Sequence, residues 1–385
     1  METSIISDVH VAFVSHVFHS KKTPEELLEE YFTIVEWVTA IFQQGVKVSV
    51  IYRYSRNYQI TKEGVHYYFI ADKKATNSKS NPGVFYRDVK RLLTELEVNV
   101  VHLHNIRDIR TNIRLKRVFS KWPMVIQDHG SVFKRDSLKD QLLKPLLKQG
   151  LSHMDRIIFA AKGQEEHWIR NKIIRKEQCT FIMENSSSFR SMSRDACREI
   201  TKLTGQPVFL WVGNLNTNKD PITVLGAFQK ILQHYPQAKL YMIYRLNEMG
   251  NIVKQWISEH QLDKQVFLLG SKTREELKFY YNSADYFLSA SHKEGSGYAA
   301  IEAMSCGVVP ILTNIPSFVS LTDGGEVGAL FDSGDSKMLC KKILEILEKP
   351  LPEEQSRVLA HFEKCFSAEA IAKQAIQMYQ EVLTK

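Results

Sequence analysis

The chain has 385 residues, of which 44% are hydrophobic and 24% charged, and its formal net charge is +8. This length suits two domains of ordinary size, and the composition is typical of a soluble globular protein. Hydrophobic runs such as Val46 to Tyr52 are too short to span a bilayer, and the start of the chain lacks a basic region followed by an apolar core. We therefore expect neither a transmembrane helix nor a secretion signal.

Cysteine spacing and charge limit the partners. The five cysteines are scattered and never occur as Cys-x-x-Cys, which predicts reduced thiols, a cytoplasmic location and no metal site. We find no RNP-like aromatic motif or zinc-finger spacing that would indicate nucleic acid. Part of the positive charge lies in Arg107 to Lys121, where basic and apolar residues interleave. A helix here could contact an anionic membrane peripherally, on its inner face, or could pack on its own domain.

Strand and helix patterns alternate from the beginning of the chain. Val9 to Ser15 and Val46 to Tyr52 have the apolar pattern of strands, and Pro24 to Gly45 has the start, period and stop of one long helix. A strand, a helix and a second strand form a βαβ unit, which predicts a parallel sheet. We expect His16 to Lys22 to be a loop and Asp72 to Pro82 to be a mobile polar surface loop.

The first half continues with four predicted strands and a leucine-rich helix. The helix spans Leu138 to Leu151, and Pro145 should kink or restart it. His129 closes a strand just before Gly130, where open parallel sheets place ligand-binding groups. His102 and His104 share one face of their strand, for which packing is the favoured interpretation. The four strands are predicted at Val98 to His104, Met124 to Gln127, Arg156 to Ala160 and Cys179 to Met183.

Turn-forming residues from Glu184 to Ser193 interrupt this pattern, so we place the domain boundary there, between a first domain of residues 1–185 and a second of residues 190–367. The alternation then restarts, which predicts a second α/β domain. Its strands are predicted at Val208 to Val212, Lys239 to Tyr244, Val266 to Leu269, Tyr286 to Leu288 and Ile311 to Thr313. Its helices are predicted at Ile222 to Tyr235, Arg274 to Asn282 and Ser336 to Leu347, followed by a terminal helix over Ala368 to Leu383.

The most informative stretch runs from Ser289 to Gly307, where a strand leads through a glycine-flanked turn into a helix. Gly295 and Gly297 let the backbone approach a ligand closely at the first turn of that helix, where amide donors and the positive end of the helix dipole favour phosphate. Glu294 precedes the glycines and Glu302 lies about one turn into the helix. A carboxylate binds a vicinal diol well, so Glu302 could hold a ribose and Glu294 could face the group at the other end of a diphosphate.

These residues, Glu-Gly-x-Gly followed by Glu-Ala-Met-x-x-Gly, resemble the E-x7-E signature of the family-four retaining nucleotide-sugar glycosyltransferases, strongly in the second half of the chain and loosely in the first. The resemblance implies the GT-B fold, with two Rossmann-like parallel-sheet domains facing across a cleft. It implies an acceptor-side first domain, onto which the terminal helix 368–385 packs back, and a nucleotide-sugar-binding second domain. It also implies that Glu294 lies by the donor sugar, that Glu302 binds the nucleotide ribose, and that His129 lies near the sugar and the acceptor.

The other implied site residues follow from the same resemblance. Lys219 matches the lysine that clamps the diphosphate, while Asn214 follows Gly213 where an arginine is usual. Arg245 is our candidate for the missing cation. Backbone groups at Gly270 would touch the base, and Ser296 stands where phenylalanine is common. The implied donor site thus comprises Gly213, Asn214, Lys219, Arg245, Gly270, Glu294, Gly295, Ser296, Gly297, Tyr298 and Glu302, with Glu294, His129 and Lys219 in the catalytic roles.

The function implied is metal-independent transfer of a sugar, with retention, from a nucleoside diphosphate sugar to a glycan, a lipid-linked glycan or another glycoconjugate, as in polysaccharide biosynthesis. No cofactor is expected, and the chain contains no Asp-x-Asp triplet to hold a divalent ion. Two alternatives stay open. One is a nucleotide-sugar epimerase or a phosphorylase on the same fold. The other is a non-catalytic binding or scaffold protein, suggested by Asn214, by Ser296 and by the absence of the Gly-Gly pair that many relatives carry after the first strand.

Overall fold

The computed structural model describes residues 8–77, 80, 82–134 and 137–384. The chain forms two compact units, one of Met1–Asn185 with Ala368–Lys385 and the other of Ser186–Ser367. Each unit is built on a sheet of mainly parallel strands, which confirms the predicted α/β class. Within the described ranges, no helix combines the length and the apolar character needed to cross a bilayer.

In the first unit, eight strands form one sheet. The strands are β1 (His10–His19), β2 (Lys47–Tyr54), β3 (Tyr58–Lys62), β4 (Val65–Ala71), β5 (Val100–His104), β6 (Met124–Gln127), β7 (Arg156–Phe159) and β8 (Cys179–Phe181). The helices are α1 (Pro24–Glu30), α2 (Phe32–Gln43), α3 (Gly83–Glu95), α4 (Ile109–Val118), α5 (Leu138–Leu151), α6 (Glu166–Arg170) and the C-terminal helix, Ala368–Leu383. The strand order is β3-β4-β2-β1-β5-β6-β7-β8, with β3 antiparallel to β4 and the other neighbours parallel.

The loop predicted at His16 to Lys22 is mostly strand. β1 continues to His19, because Phe18 and His19 pair with Arg53 and Tyr54 of β2 after a register shift beyond Ser15. A bulge of this kind lets a strand turn its side chains without losing its partner. The prediction of a loop from His16 was therefore wrong, and the chain leaves the sheet only after His19.

Two further predictions in this unit need correction. The single long helix over Pro24 to Gly45 is two helices, α1 and α2, because the backbone of Tyr31 leaves the helical region at φ −95° and ψ 33°. The hairpin of β3 and β4 was not predicted. Its two connecting residues, Glu63 and Gly64, have φ values of 52° and 84°, as the tight turns of hairpins require.

The segment predicted as a polar surface loop, Asp72 to Pro82, falls partly outside the described residues, at 78, 79 and 81. Asp72 itself is not on the surface. Its carboxylate is buried and pairs with the guanidinium of Arg53 at 2.7 Å, and Arg53 also donates to the carbonyl of Ser80 at 3.0 Å. A buried carboxylate needs such a partner, which explains why this polar residue lies inside.

Helices α4 and α5 pack against each other in the first unit. Leu115 and Phe119 lie in the hydrophobic core, and Ile109 and Val118 pack against that core. These apolar residues of the Arg107 to Lys121 segment therefore pack on their own domain, which was one of the two interpretations of this segment. Helix α5 runs unbroken through Pro145, so the predicted restart at this proline was wrong.

The C-terminal helix belongs to the first unit and packs against α2. Its Tyr379 hydroxyl lies 2.7 Å from Nδ1 of His102 on the central strand β5, and both side chains are buried. Burial lowers the pKa of His102 to about 3, so this imidazole is neutral at ordinary pH. His102 is thus a packed and hydrogen-bonded core residue, as favoured from the sequence.

The second unit carries a six-stranded sheet. Its strands are β9 (Val208–Val212), β10 (Lys239–Ile243), β11 (Val266–Gly270), β12 (Tyr286–Ser289), β13 (Val309–Thr313) and β14 (Ala329–Phe331). Its helices are α7 (Arg194–Thr201), α8 (Pro221–Ile231), α9 (Gly250–Glu259), α10 (Arg274–Ser283), α11 (Tyr298–Ser305), α12 (Pro316–Leu321), α13 (Ser336–Leu347) and α14 (Leu351–Cys365). The strand order is β11-β10-β9-β12-β13-β14, and every pairing is parallel.

The strand order in the second unit determines where its loops meet. β9 and β12 are neighbours at the centre of the sheet, although β10 and β11 intervene in the sequence. In a parallel sheet the carboxyl ends of such strands share one edge, and a reversal of strand order opens a crevice there. The loop after β9 and the loop after β12 therefore come together at this edge.

Candidate functional site

The loop after β12 reaches helix α11 through a glycine in a left-handed conformation. Gly297 is the N-cap residue of α11, with φ +77°, and a Cβ atom there would lie 2.6 Å from Cε1 of Phe318. Only glycine fits both the backbone and the space. Tyr298 begins the helix, so the positive end of the helix dipole lies at the segment Gly295 to Tyr298. Ser296, in the same turn, is buried.

Two side chains from the two loops meet beside this turn. The ammonium of Lys219, from the loop after β9, contacts the carboxylate of Glu294, from the loop after β12, and both are mostly buried. Asn218 connects the two loops. Its side-chain amide donates to the backbone carbonyl of Lys293 at 3.0 Å, and its backbone carbonyl accepts from the N–H of His292 at 2.8 Å. The structure thus brings together Lys219, Glu294 and the start of α11.

Lys219 is held by its own loop. Its N–H donates to Oδ1 of Asn216 at 3.0 Å, and the next residue, Asp220, has a left-handed backbone and caps α8 through the N–H of Thr223. Gly213 lies under the lysine stem, since a Cβ atom there would lie 3.5 Å from Cδ of Lys219 and 3.3 Å from the ring of Trp211. The loop therefore presents one cation in a fixed position.

Asn214, which stands where relatives have arginine, has a structural contact. Its Oδ1 accepts from the N–H of Leu246 at 3.2 Å, and the adjacent Leu215 N–H donates to the Leu246 carbonyl at 2.9 Å. These bonds join the loop after β9 to the loop after β10. Arg245, one residue before Leu246, is exposed. Its role as a replacement cation stays a prediction.

Gly270 ends β11 with φ +67°, and no heavy atom lies within 4 Å of the position that a Cβ atom would take. Its carbonyl accepts from the N–H of Tyr244 at 3.0 Å. The space beside Gly270 is therefore open, as contact between its backbone and a base would require.

Glu302 lies one turn into α11 and is buried in a network of protein donors. Its carboxylate accepts from Nη1 of Arg274 at 3.0 Å and from the hydroxyl of Tyr281 at 3.0 Å. Burial raises the pKa of Glu302 to about 7, although Tyr281 and Arg274 act in the opposite direction. The hydroxyl of Tyr298 also hydrogen-bonds to this carboxylate, so protein donors take most of its about four acceptor positions.

Sequence reasoning missed Arg274 and Tyr281. Both lie on α10, which begins with a capping box formed by Thr273 and Glu276. Nη1 of Arg274 also donates to the Tyr298 hydroxyl at 2.8 Å, and its guanidinium stacks over Phe189 at 4.7 Å from the ring centre. The sequence contained the signal that places Arg274 at the start of a helix, but not the approach of that helix to α11.

In the first unit, His129 follows β6 as predicted and pairs with a residue that the sequence did not single out. Its Nδ1 contacts the carboxylate of Glu184, and its Nε2 lies 3.2 Å from Nδ1 of His104, whose ring stacks on it. Burial alone would lower the pKa of His129, but the hydrogen bond and charge of Glu184 outweigh it and raise the pKa. Burial and the neighbouring histidines hold the pKa of His104 well below its usual value.

His104 and His129 border a cavity of about 430 Å³ in the first unit. Its wall is rich in aromatic side chains, among them Phe13, Tyr31, Trp37 and Tyr52. Polar side chains line the same cavity, among them His104, Asn105, His129 and Glu184. A cavity with aromatic walls and a few polar groups has the features of a binding site for a polar ligand with apolar faces.

The residues placed by the structure contain no group of three or more histidine, cysteine, aspartate or glutamate side chains arranged to hold a metal ion. The groups that meet at the loop after β12 are a lysine, a carboxylate and the start of a helix, and both the lysine and the helix start suit an anion.

Comparisons with known proteins agree with this arrangement. Residues 33–182 match the family model described as Glycosyltransferase Family 4, and residues 193–361 match Glycosyl transferases group 1. The chain is similar to the GDP-mannose:cellobiosyl-diphosphopolyprenol alpha-mannosyltransferase of Xanthomonas oryzae pv. oryzae, with 28% identity over 60% of this chain and 60% of that protein. It is also similar to the capsular polysaccharide biosynthesis glycosyltransferase CapM of Staphylococcus aureus, with 31% identity over 45% of this chain and 46% of that protein.

The matched region thus spans about 60% of the length of the Xanthomonas relative and about half of the length of the Staphylococcus relative. Among solved structures, a glycosyltransferase from Rickettsia africae ESF-5 shares the fold, with a TM-score of 0.71, 16% identity, and coverage of 98% of this chain and 99% of that one. The two family models cover consecutive parts of the chain, one in each unit. The chain therefore belongs to the family-four type of glycosyltransferases and has their GT-B fold.

Proposed function

We propose that the chain transfers a sugar, with retention of configuration, from a nucleoside diphosphate sugar to a glycan or lipid-linked glycan. The observation that carries the proposal is the contact of Lys219 with Glu294 at the start of α11. A cation and a helix dipole suit a diphosphate, and a carboxylate beside them suits the hydroxyls of the attached sugar. Glu302 and open Gly270 are then the contacts of ribose and base.

The reaction proposed breaks the bond between the anomeric carbon and the phosphate oxygen and forms the bond to the acceptor oxygen on the same face. The acceptor proton passes to the leaving phosphate, so no separate general base is required. Negative charge develops on that phosphate, and Lys219 together with the dipole of α11 would stabilise it. No step requires a metal or another cofactor.

The cavity of the first unit supports the acceptor side of the proposal. A sugar ring has apolar C–H faces that stack on aromatic rings and hydroxyls that accept from N–H groups. Trp37 and Tyr52 offer such rings, and the polar side chains of Asn105, His129 and Glu184 line the same cavity. We infer that an acceptor sugar binds there, near His104 and His129. The name of a relative that acts on a diphosphopolyprenol-linked glycan supports an acceptor of this class.

The test has two stages. Thermal-shift measurements with UDP, GDP, ADP and their sugars should show stabilisation by one nucleotide class, since only the folded state binds it. Transfer of radiolabelled sugar from that donor to a diphosphopolyprenol-linked glycan should then be detected. Glu294→Ala should abolish transfer, whereas Glu275→Ala, which removes an exposed carboxylate of α10, should leave it unchanged. Conversion of the donor without an acceptor would favour an epimerase, and absence of nucleotide binding would favour a non-catalytic protein.

The acceptor cavity needs its own measurement. Trp37→Leu removes an aromatic ring from the wall of the cavity, so it should raise the KM for the acceptor several-fold while the donor affinity stays unchanged. An equal effect on both substrates would contradict the assignment of this cavity to the acceptor.

A further inference from the structure

Helix α5 of the first unit exposes three leucines in a row. Leu138, Leu142 and Leu146 have 82%, 78% and 43% of their surface exposed. Their spacing of four residues places them on one face of the helix, within about 80° of each other at about 100° per residue. Scattered exposed leucines are common on proteins, but three on one helix face form an apolar stripe that calls for a partner.

The other side of α5 fixes the direction of this stripe. Leu147 and Leu151 are buried in the core, and Gly150 packs on α4, where an added Cβ atom would lie 3.2 Å from Cβ of Asn112. Leu147 and Leu151 lie about 140° to 180° around the helix from Leu138 and Leu142, whereas Gly150 continues the row of leucines to the point where α5 meets α4. The packing of α5 therefore holds the leucine stripe away from the core.

The start of α5 is also anchored. Ser137 caps the helix through the N–H of Asp140, and the buried Asp140 carboxylate pairs with the guanidinium of Arg107 and accepts from the N–H of Lys134 at 2.7 Å. These contacts hold the first turn of α5, in which Leu138 is exposed. The exposure of the stripe is a property of the folded helix.

Positive charge surrounds the stripe. Lys139 and Lys148 are exposed and, at helical spacing, lie on its two sides. The packed neighbour α4 adds exposed Arg110, Lys116 and Arg117. An apolar stripe flanked by lysines matches the boundary between acyl chains and anionic headgroups better than it matches a protein surface, on which charge at the rim is mixed.

We propose that the leucine stripe of α5 docks on the surface of a bilayer that contains anionic lipid. Leu138, Leu142 and Leu146 would enter the boundary between headgroups and acyl chains, while Lys139 and Lys148 contact the headgroups. The docking assigns the membrane contact to α5, with α4 contributing charge only. It deepens the proposed function, because a lipid-linked acceptor lies in such a membrane, but it can be tested without sugar transfer.

The experiment is flotation of the full-length protein with vesicles of phosphatidylcholine alone or with added phosphatidylglycerol. The test variant is Leu138→Gln/Leu142→Gln/Leu146→Gln, since glutamine keeps the helix propensity. The matched control is Ile200→Gln/Ile252→Gln/Leu383→Gln, which removes three exposed apolar side chains elsewhere. The stripe variant should lower the partition coefficient on anionic vesicles at least about tenfold, and the control should leave it unchanged.

A second variant in the flotation experiment tests the contribution of positive charge. Lys139→Gln/Lys148→Gln should weaken binding to anionic vesicles and should have little effect on neutral ones. Equal binding of the stripe variant and the wild-type protein would overturn the proposal, and so would absence of wild-type binding to anionic vesicles. A wild-type dimer that the stripe variant converts to a monomer, without vesicle binding, would also overturn it in favour of self-association.

The proposed reaction is tested separately in the same variants. Thermal shifts produced by nucleotides should be unchanged in the stripe variant, because α5 and the donor loops belong to different units. Loss of flotation with an unchanged nucleotide shift supports docking. A protein that floats but binds no nucleotide would retain the docking surface and lose the proposed function.

Discussion

The ammonium of Lys219 contacts the carboxylate of Glu294, although 75 positions separate the two residues in the chain. Among the described residues of the donor site that the resemblance predicts, Lys219 and Glu294 are the one ion pair. It holds these two side chains together at the start of α11. A donor that binds here would share the lysine with Glu294.

We expect Lys219→Met to lower kcat about 100-fold or more, since one preorganised charge at a leaving group contributes that much. The variant should also weaken binding of the nucleoside diphosphate, measured by calorimetry. Lys341→Met, which removes an exposed lysine of α13, is the control and should behave as wild type. Wild-type turnover in Lys219→Met would remove this residue from the reaction.

Glu302 should make stability depend on pH. Burial raises its pKa from 4.5 to about 7, so the folded protein binds this proton more tightly than the unfolded chain does. The resulting stability is present below pH 4.5 and is lost as pH rises to about 7. The full change would be about 3 kcal/mol.

Glu302→Gln removes this titration. As the pH rises from 5 to about 8, the free energy of unfolding of the wild type should therefore fall relative to that of Glu302→Gln. The expected fall is on the order of 3 kcal/mol. Urea titrations at several pH values measure it. A difference that does not change with pH would show that Arg274 and Tyr281 keep the carboxylate ionised throughout.

The pair of His129 and Glu184 should be visible in a histidine titration. Glu184→Gln removes the charge that raises the pKa of His129 and leaves the burial that lowers it, so the pKa should fall below 6.5. NMR of the imidazole signals measures this. His153, whose pKa is lowered mainly by burial and which does not contact the pair, is the internal control and should not change.

The sign of the stability effect follows from the raised pKa of His129. The ion pair stabilises the fold below pH 6.5, and this contribution is lost as the pH rises through the folded pKa. Wild type should therefore exceed Glu184→Gln in stability most clearly at low pH. The opposite trend would mean that His129 is neutral in the folded protein.

Alanine variants of Gly270 and Gly297 should distinguish the cost of backbone strain from the cost of steric overlap. Gly297→Ala combines a left-handed backbone with a Cβ atom 2.6 Å from Phe318, whereas Gly270→Ala has a left-handed backbone and open space. We expect Gly270→Ala to cost about 1 kcal/mol and Gly297→Ala at least about 2 kcal/mol, with loss of nucleotide binding. Adding Phe318→Leu should recover part of the stability of Gly297→Ala. Equal costs for the two alanine variants would contradict the overlap.

Two tyrosines differ in the partner of the hydroxyl group. Tyr379→Phe removes the bond to buried His102 and should lower the free energy of unfolding by about 1 to 2 kcal/mol. Tyr52→Phe removes a buried hydroxyl that has no partner among the described residues, so it should leave stability unchanged or raise it slightly. Thermal denaturation of the two variants measures both effects.

Local patterns predicted most of the strands and the main helices. β6 and β9, the helix α13 and the C-terminal helix begin and end at the predicted residues, because each combines a clear apolar period with turn formers at its ends. The break at Tyr31 was not visible, since the apolar spacing continues across it. β3 and β4 were missed because their alternation is short and partly polar.

The parts of the candidate site that lie within one local motif could be predicted from the sequence. The turn at Gly297 and the position of Glu302 on α11 follow from local spacing and agree with the structure. The partners of these residues come from distant segments: Arg274 and Tyr281 from α10, and Glu184 from the end of the first unit's main segment. Such contacts depend on packing between elements, which a single sequence does not specify.

The C-terminal helix belongs to the unit that is synthesised first, whereas the residues before it, Ser186–Ser367, form the other unit. During translation the second unit can fold as soon as it leaves the ribosome, but the first unit lacks Tyr379, the partner of His102, until the C-terminal helix emerges. A premature stop before Ala368 would therefore harm the unit encoded at the opposite end of the message. A domain-wise expression strategy should fuse Ala368–Lys385 directly to the segment ending at Asn185.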